Sequence, residues 1–364
     1  MGKRIIIAGG GTGGHIFPAV AVANALKRQD PSVEILFVGA KGKMEMEKVP
    51  MAGYKIEGLD IAGLDRGNML NNISLPFKLL KSFWQVRGIF KSFRPDAAFG
   101  VGGYSSYPVL RYAQSRGINT YLHEANAYGG KSNMMLSGRA KRVFTGTAGM
   151  EKFFPAEKIL FTGNPIRHEV VILTRPKTDA LQSFGLRPGA VTLLVVGGSL
   201  GARSINLAVR QGLQRWVNAG YQLIWQTGKL FTEESKEAAA SQPGVYVSDF
   251  ISDMNAAYTA ADLVISRAGA MSVTELCLTG KPVIFVPFPF AAEDHQTANA
   301  MALVQQQAAW MVKDSNAADE LMDKALMLAA DEELRLRMSR NVKPLAKDDA
   351  DKEIAREILN DLEK

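Results

Sequence analysis

The chain of 364 residues contains a single cysteine, Cys277, which excludes an internal disulfide and a cluster of thiolate metal ligands. It has no apolar stretch near the roughly 18 residues that a membrane-spanning helix needs. The apolar run at the amino end is too short for a signal peptide, and Ile6 breaks the myristoylation pattern that Met1-Gly2 suggests. With 47% apolar and 22% charged residues, the composition predicts a globular protein, which we expect in the cytoplasm.

Acidic residues are scarce in the first half of the chain. Residues 1–164 contain 22 Lys and Arg against 11 Asp and Glu, whereas residues 165–364 contain 21 against 25. The net charges of +11 and −4 indicate either an ordinary solvated basic face or a first half that binds an anionic partner or surface. No nucleic-acid-binding motif accompanies the charge, so we expect no nucleic acid partner.

Glycine is abundant where it follows an apolar run. The run Lys3–Ala8 leads into Gly9-Gly10-Gly11-Thr12-Gly13-Gly14-His15 and then into a helix-compatible segment. This pattern predicts a buried strand, a tight turn and a helix N-terminus, where bare backbone N–H groups can bind an anion. His15 stands beside this turn and could exchange a proton with a bound group. The alternative is a structural glycine turn beside an incidental histidine.

The same glycines match the dinucleotide fingerprint GxGxxG, which requires an acidic residue at the end of the second strand to hold a ribose. That strand ends in Val38-Gly39-Ala40-Lys41, and Glu34 lies near its start. The sequence therefore argues against a nicotinamide-dependent enzyme.

Apolar runs alternate with helix-compatible segments along the whole chain, which indicates βαβ units and parallel, doubly wound sheets. The pattern pauses at Gly163-Asn164-Pro165 and restarts at residue 191 with a strand, the glycine turn Gly197–Ala202 and a helix. We predict an α/β protein with two Rossmann-like domains, residues 1–164 and 165–345, whose ligand-binding edges face each other across a cleft.

A second glycine loop lies in the basic half, in the run Gly100–Ser106. Two adjacent backbone loops suit a diphosphate better than a single phosphate. Structural turn glycines are the alternative. We expect this anion site to include Gly11, Gly13, Gly14, Gly102, Gly103, Tyr104 and Ser105.

The stretch His123-Glu124-Ala125-Asn126 ends another predicted strand at the same sheet edge. Its polar side chains could hold a sugar, and Glu124 could act in proton transfer. Helix capping by Glu124 or Asn126 is the alternative.

In the second half, the run Ser266–Leu276 predicts a strand, a turn and a helix whose start could receive a pyrophosphate. Glu275, one turn into that helix, could accept both hydroxyls of a ribose. His295 and Gln296 lie at a further helix start, and Arg167 and Ser199 at strand ends. Near the end of the chain, Asp349-Ala350-Asp351 is predicted to be surface charge on a solvated helix.

A basic helix is predicted from Ser74 to Arg94. One apolar face should pack on the sheet, and it consists of Leu75, Leu79, Phe83, Val86, Phe90 and Phe93. A second stripe on the opposite side, whose aromatic and basic residues suit an anionic bilayer surface, consists of Phe77, Leu80, Lys81, Trp84, Arg87 and Lys91. Burial of this stripe under a neighbouring loop is the alternative.

Together these motifs resemble the MurG family of bacterial N-acetylglucosaminyltransferases, in the same order and over almost the whole chain. The motifs that carry the resemblance are Gly9–His15, His123–Asn126, Gly163–Arg167, Gly197–Ala202, Ser266–Ala270 and Asp294–Ala300. Two positions depart from the family pattern, since Ala125 stands where many members have glutamine and His295 where Gln is common.

The resemblance implies a GT-B fold with the C-terminal helix, about 346–364, returning to the first domain. It implies inverting transfer of GlcNAc from UDP-GlcNAc to the 4-hydroxyl of MurNAc in lipid I, forming lipid II for peptidoglycan synthesis, cell shape and division. No tightly bound metal is expected. Either His15 or Glu124 would be the general base. The implied donor-site residues are Thr12, Gly13, Gly14, Asn126, Arg167, Ser199, Ile251, Ala270, Met271, Ser272, Glu275, His295 and Gln296.

The resemblance further implies a peripheral location at the cytoplasmic face of the cell membrane, with an anionic membrane surface and other cell-wall synthesis or division proteins as partners. The alternatives are another UDP-sugar enzyme of this fold, such as a soluble transferase or a 2-epimerase, and a UDP-sugar sensor without catalysis.

Overall fold

A computed structural model describes residues 2–11, 13–63, 75–166, 168–198, 200–345 and 347–363. The chain divides into two compact units. Unit 1 comprises Met1–Ile166 and Lys347–Lys364, and unit 2 comprises Arg167–Ala346.

Unit 1 is a parallel sheet of seven strands with helices on both faces. In chain order, its strands are β1 (Arg4–Ala8), β2 (Glu34–Ala40), β3 (Lys55–Leu59), β4 (Ala97–Gly100), β5 (Asn119–Glu124), β6 (Arg142–Thr145) and β7 (Ile159–Phe161). Its helices are α1 (Gly13–Gln29), α2 (Glu45–Met51), α3 (Leu75–Phe93), α4 (Ser106–Ser115), α5 (Lys131–Ser137) and α15 (Ala350–Leu362). The strand order β3-β2-β1-β4-β5-β6-β7 is that of a Rossmann sheet with one added strand.

The two faces of this sheet follow from the alternation of side chains along β1. Ile5 and Ile7 pack with α1 and α15, whereas Ile6 packs on the opposite face with residues of α3, α4 and α5. Because both faces are covered, the strand is apolar throughout, as its sequence predicts.

Unit 2 repeats this architecture with six parallel strands in the order β10-β9-β8-β11-β12-β13. The strands are β8 (Thr192–Val196), β9 (Gln222–Gln226), β10 (Val245–Ser248), β11 (Leu263–Ser266), β12 (Val283–Phe285) and β13 (Ala309–Met311). The helices are α6 (His168–Val171), α7 (Lys177–Gln182), α8 (Arg203–Asn218), α9 (Thr232–Ala239), α10 (Met254–Ala260), α11 (Ala270–Thr279), α12 (His295–Val304), α13 (Ala317–Ala330) and α14 (Glu332–Val342).

Helix α15 completes unit 1 although it follows unit 2 in the chain. Ile354 and Ile358 are fully buried in the core that α15 shares with α1 and β1. The prediction that Asp349-Ala350-Asp351 is surface charge is wrong for Asp351, which is 2% exposed and pairs with Arg28 of α1 at 2.7 Å. Asp351 lies on the packed side of α15, and Asp349 is exposed.

No helix in the described part of the chain has an apolar segment of the length that a bilayer requires.

Candidate functional site

The two glycine loops of unit 1 lie against each other at the carboxyl ends of β1 and β4. A Cβ atom at Gly103 would lie 2.8 Å from the carbonyl oxygen of Gly10, and one at Gly9 would lie 2.7 Å from that of Gly102. Gly10 and Gly103 have φ angles of +155° and +83°. Only glycine permits this close approach of two backbones, and it brings the two predicted anion-binding loops together.

His15 lies on the first turn of α1, between these loops. Its Nδ1 lies 3.1 Å from the carbonyl oxygen of Gly10. A carbonyl oxygen only accepts hydrogen bonds, so Nδ1 carries the proton and the neutral ring has its lone pair on Nε2. A Cβ atom at Gly102 would lie 3.2 Å from Nε2. The basic nitrogen therefore lies beside the second glycine loop.

Beneath the first loop lies Glu45 of α2, which no sequence motif predicts as a site residue. It is 1% exposed, and its carboxylate accepts hydrogen bonds from the backbone N–H groups of Gly11, at 2.9 Å, and Ala40, at 3.0 Å. The Gly11 N–H thus binds a carboxylate of the protein itself. No sequence signal singles out Glu45, because Met44-Glu45-Met46-Glu47 looks like an ordinary helix start.

Glu124, at the end of β5, is buried and bonded to the segment that follows it. Its Oε1 accepts from the backbone N and the Nδ2 of Asn126, and its Oε2 accepts from the Gly130 N–H and Asn133 Nδ2, both at 2.9 Å. Burial raises the pKa of the Glu124 carboxyl, and these four N–H donors oppose that rise. The contacts identify Glu124 as the residue that organises residues 126–133.

His123 precedes it and is also buried. Burial lowers the pKa of His123 to about 4, so the ring is neutral at neutral pH. Tyr104 and Ser105 belong to the second glycine loop, where Ser105 is buried and burial raises the pKa of Tyr104.

Unit 2 contains a cavity of about 530 Å³ between the turns that follow β8 and β11. Its lining consists of Gly197, Gly198, Leu200, Gly201, Ala202, Arg203, Ser204, Arg267, Gly269, Ser272, Phe288, Pro289, Phe290, Gln296 and Asp314. At the start of α11, Ala270, Met271 and Ser272 are half-buried, and Ser272 lines this cavity together with Gly269. Backbone N–H groups at a helix start, next to glycine turns, form a seat for phosphate groups.

Glu275 is half-buried on α11, and its Oε2 accepts a hydrogen bond of 3.0 Å from the buried Tyr258 hydroxyl. Ile251 has a buried backbone whose N–H donates to Gln226 Oε1 at 2.9 Å, and Gln226 Nε2 donates to the Gly198 carbonyl. Gln226 therefore ties the glycine turn after β8 to Ile251, a connection that the sequence did not indicate.

The side chains of His295 and Gln296, at the start of α12, form hydrogen bonds with backbone groups. The side-chain oxygen of Gln296 accepts from the backbone N–H groups of Ala268 and Phe288, at 3.2 and 3.0 Å. His295 Nδ1 lies 2.7 Å from the Ala292 carbonyl oxygen, so that nitrogen is the protonated one.

Arg267 also lines the cavity, a role that the sequence did not indicate. Its guanidinium pairs with Asp314, donates to the carbonyl oxygens of Val286 and Pro287, and lies 5.6 Å from the centre of the Phe288 ring. Its charge is thus largely compensated within unit 2, and it joins the turns after β11, β12 and β13.

Three predicted site residues, Thr12, Arg167 and Ser199, lie outside the described residues.

The predicted stripe on α3 is exposed, which contradicts burial under a loop. Phe77 is 74%, Leu80 61% and Trp84 69% exposed, and the Arg87 guanidinium lies 5.9 Å from the Trp84 ring centre. Lys81 pairs with Asp60 at 2.8 Å, and this contact, together with that of Lys41, lowers the pKa of Asp60 to about 2.

Beyond the stripe, a cavity of about 540 Å³ opens at the amino ends of β1, β4 and β5. The ionisable residues lining it are Arg4, Arg87, Lys91, Arg94, Asp96, Tyr112 and Arg116. Basic residues therefore continue from the stripe to this edge of the sheet.

The sequence matches two family models, one in each unit. Residues 5–145 match the N-terminal domain of glycosyltransferase family 28, and residues 192–354 match its C-terminal domain.

Relatives and a solved structure match the chain over nearly its whole length. A protein of Cytophaga hutchinsonii is 50% identical over 98% of this chain and 96% of its own, and one of Phocaeicola vulgatus is 52% identical over the same shares. Both are named "UDP-N-acetylglucosamine--N-acetylmuramyl-(pentapeptide) pyrophosphoryl-undecaprenol N-acetylglucosamine transferase". The crystal structure of Acinetobacter baumannii MurG superposes with a TM-score of 0.81 at 30% identity, covering 98% of this chain and 99% of that one.

Proposed function

The chain belongs to glycosyltransferase family 28, and we propose that it transfers N-acetylglucosamine from UDP-N-acetylglucosamine to the N-acetylmuramyl group of undecaprenyl-diphospho-MurNAc-pentapeptide. The observation that carries this proposal is the identity of about half of all residues, over 98% of the chain, with relatives named for that reaction. The product is lipid II, the lipid-linked precursor of peptidoglycan.

We assign donor binding chiefly to unit 2. The start of α11, with Ala270, Met271 and Ser272, is proposed to bind the diphosphate, and Glu275 the ribose hydroxyls. Since the Ile251 N–H already donates to Gln226, the uracil contact is assigned to the Ile251 carbonyl. His295 and Gln296 are proposed to lie at the sugar.

The other proposed donor contacts are Arg167 and Ser199 in unit 2, and Thr12, Gly13, Gly14 and Asn126 in unit 1. The acceptor diphosphate is assigned to the two glycine loops, where the backbone amides of Gly13, Gly14, Gly102 and Gly103 and the side chains of Tyr104 and Ser105 supply the contacts. Gly11 shapes the loop, because its N–H donates to Glu45.

The general base is assigned to His15 in preference to Glu124. A base needs a lone pair directed at the hydroxyl that it deprotonates. His15 has such a lone pair on Nε2 beside the second glycine loop, whereas the Glu124 carboxylate accepts four N–H donors of its own segment.

In the proposed reaction, His15 Nε2 takes the proton of the MurNAc 4-hydroxyl while the hydroxyl oxygen forms the bond to the anomeric carbon of GlcNAc. The bond from that carbon to the UDP oxygen breaks, with inversion. The negative charge that UDP acquires is stabilised by backbone N–H groups at the start of α11 and by Arg167. These groups suffice without a tightly bound metal in this proposal.

We further propose that the enzyme works at the cytoplasmic face of the membrane. The exposed apolar residues of α3 and the basic residues beside them have the chemistry of an anionic bilayer's docking surface. Cell-wall synthesis and division proteins are the partners expected there.

The test is transfer of labelled GlcNAc from UDP-GlcNAc to a lipid I analogue with a shortened prenyl chain, with UDP release followed in parallel. We expect equimolar UDP and β-linked product, with and without EDTA. Product from a soluble sugar acceptor alone would favour a soluble transferase. Conversion of the donor without acceptor would indicate an epimerase, and binding without turnover a sensor.

A further inference from the structure

A buried carboxylate and the His15 imidazole bind opposite ends of one peptide group. Glu45 Oε2 accepts a hydrogen bond of 2.9 Å from the Gly11 N–H. The carbonyl of the same peptide unit, that of Gly10, accepts from His15 Nδ1 at 3.1 Å. Carboxylate, peptide and imidazole thus form a continuous chain of two hydrogen bonds.

The carboxylate is fixed in this position by its surroundings. Its second oxygen, Oε1, accepts from the Ala40 N–H at the end of β2, at 3.0 Å. A Cβ atom at Gly10 would lie 2.3 Å from Oε1, and one at Gly39 would lie 2.5 Å from Cγ. The space that holds Glu45 therefore exists only because both neighbours are glycine, and it holds the side chain in one orientation.

We propose that Glu45 is a positioning residue for His15 and acts through the Gly10–Gly11 peptide. A carboxylate that accepts from a peptide N–H polarises the peptide and makes its carbonyl oxygen a stronger acceptor. The stronger acceptor holds the proton on Nδ1, which leaves the lone pair on Nε2. It also stabilises the positive charge that the ring acquires when Nε2 takes a proton. The inference rests on the proposed function, in which His15 is the general base.

The other titratable groups around His15 are His123 on β5, Glu124 at its end and Tyr104 in the second glycine loop. His123 is neutral at neutral pH, because burial lowers its pKa to about 4, and Tyr104 is neutral because burial raises its pKa. Glu124 binds its own donors in residues 126–133. Glu45 is therefore the group that reaches His15 through a hydrogen-bonded peptide.

The first experiment needs no substrate. The protein contains four histidines, so a ¹⁵N-histidine-labelled sample gives a spectrum in which His15 is assigned by comparison with His15→Gln. We expect the neutral ring of His15 to carry its proton on Nδ1. A proton on Nε2 in the wild-type protein would overturn the proposal.

The second experiment compares Glu45→Gln with Glu47→Gln, which removes the same charge from an exposed position of the same helix. In Glu45→Gln the amide oxygen can accept from only one of the two N–H groups of Gly11 and Ala40, and the amide NH2 faces the other. The negative charge of the carboxylate is also lost. Because Glu45 supports only part of the 10²–10⁴ that a general base contributes, we expect kcat to fall by roughly tenfold with KM nearly unchanged, and the acidic limb of the kcat pH profile to move to lower pH. Glu47→Gln should have the kcat, the KM and the kcat pH profile of the wild type.

A packing role alone would lower stability or kcat without moving the pH profile. If Glu45→Gln has the wild-type kcat and profile, or a lower kcat with an unmoved profile, the inference is wrong. If Glu45→Gln does not fold, Glu45→Asp replaces it, and the same shift of the acidic limb, smaller in size, is expected. Absence of transfer by the wild type would contradict the proposed function instead, since the His15 spectrum is read independently of turnover.

Discussion

The buried hydroxyl of Tyr258 donates a hydrogen bond of 3.0 Å to Oε2 of Glu275, and so orients the carboxylate proposed to bind the ribose. Tyr258→Phe removes this donor. Because one hydrogen bond to a charged group contributes about 1.5–3 kcal/mol and Tyr258 acts on the ribose only through Glu275, we expect KM for UDP-GlcNAc to rise by up to roughly tenfold, with kcat nearly unchanged.

Steady-state kinetics with varied donor measure this effect, and Tyr246→Phe on β10 is the matched control. Replacing the donor by its 2′-deoxyribose analogue removes one contact with Glu275. The resulting rise in KM should be smaller in Tyr258→Phe than in the wild type, because the variant already holds Glu275 less well. If the rise in KM is the same in both proteins, Tyr258 plays no part in ribose recognition.

His15→Ala deletes the proposed base. General-base catalysis contributes about 10²–10⁴ in rate, so we expect kcat to fall by that factor, while the affinity for UDP-GlcNAc measured by calorimetry stays near the wild-type value. Glu124→Gln keeps the shape of its side chain and should lose much less activity. If kcat falls more in Glu124→Gln than in His15→Ala, Glu124 and not His15 is the general base.

His123 makes the stability of unit 1 depend on pH. Its pKa is lowered to about 4 in the folded protein, against about 6.5 in an unfolded chain. Below pH 6.5 His123 is therefore protonated in the unfolded chain but still neutral in the folded protein. As a result, the free energy of unfolding falls as the pH drops from 6.5 to 4. The total loss is at most about 3 kcal/mol.

Urea unfolding followed by circular dichroism between pH 7 and 4.5 measures this loss. His123→Gln cannot titrate, so its unfolding free energy should fall less steeply over the same range. An identical slope for variant and wild type would show that His123 takes up its proton in the folded protein over the same pH range as in the unfolded chain.

The ion pair of Asp351 with Arg28 attaches α15 to α1. Asp351→Ala leaves a cavity and removes the partner of a half-exposed arginine, and we expect the free energy of unfolding to fall by about 1–3 kcal/mol. Asp349→Ala, two residues earlier and exposed, should change it by less than about 0.5 kcal/mol. Equal effects would mean that the burial of Asp351 has no energetic consequence.

Docking to a bilayer should depend on the exposed residues of α3. The double variant Trp84→Glu, Arg87→Glu should lose sedimentation with anionic vesicles, because it replaces an apolar and a basic contact with negative charges. Activity on a short-chain acceptor should stay at the wild-type level. Lys81 is unsuitable for this test because it pairs with Asp60.

The matched control is Met327→Glu, which adds a negative charge at an exposed apolar residue of unit 2. Vesicle binding that survives in the α3 variant would assign docking to another surface.

The fold could be predicted from the sequence because its signals are local. The GT-B fold class with two Rossmann-like parallel-sheet domains is confirmed, since buried parallel strands read as continuous apolar runs and each repeat begins with a glycine turn. The predicted packed face of α3 is confirmed for Val86 and Phe90, which are buried, and its other four residues are half-buried.

The chemical environment of the site could not be predicted, because it depends on contacts between distant residues. Glu45 is buried only because Gly10 and Gly39 leave room for it, and nothing near it in the sequence says so. The sequence allowed two roles for Glu124, proton transfer and helix capping. Its four hydrogen-bond donors come from turns whose geometry is set by the tertiary structure, so the sequence could not distinguish these roles. The burial of Asp351 was likewise not predictable from the sequence, because its partner Arg28 lies on α1, far away in the chain.

The return of α15 to unit 1 has a consequence for biosynthesis. Unit 2 is one continuous segment, Arg167–Ala346, whereas the core around Ile5 and Leu26 in unit 1 also contains Ile354 and Ile358. On the ribosome the amino-terminal sheet therefore emerges first but acquires its last layer only when translation reaches residues 350–362. Domains generally fold in order from the amino end, but the core of unit 1 is completed only after unit 2 has been synthesised.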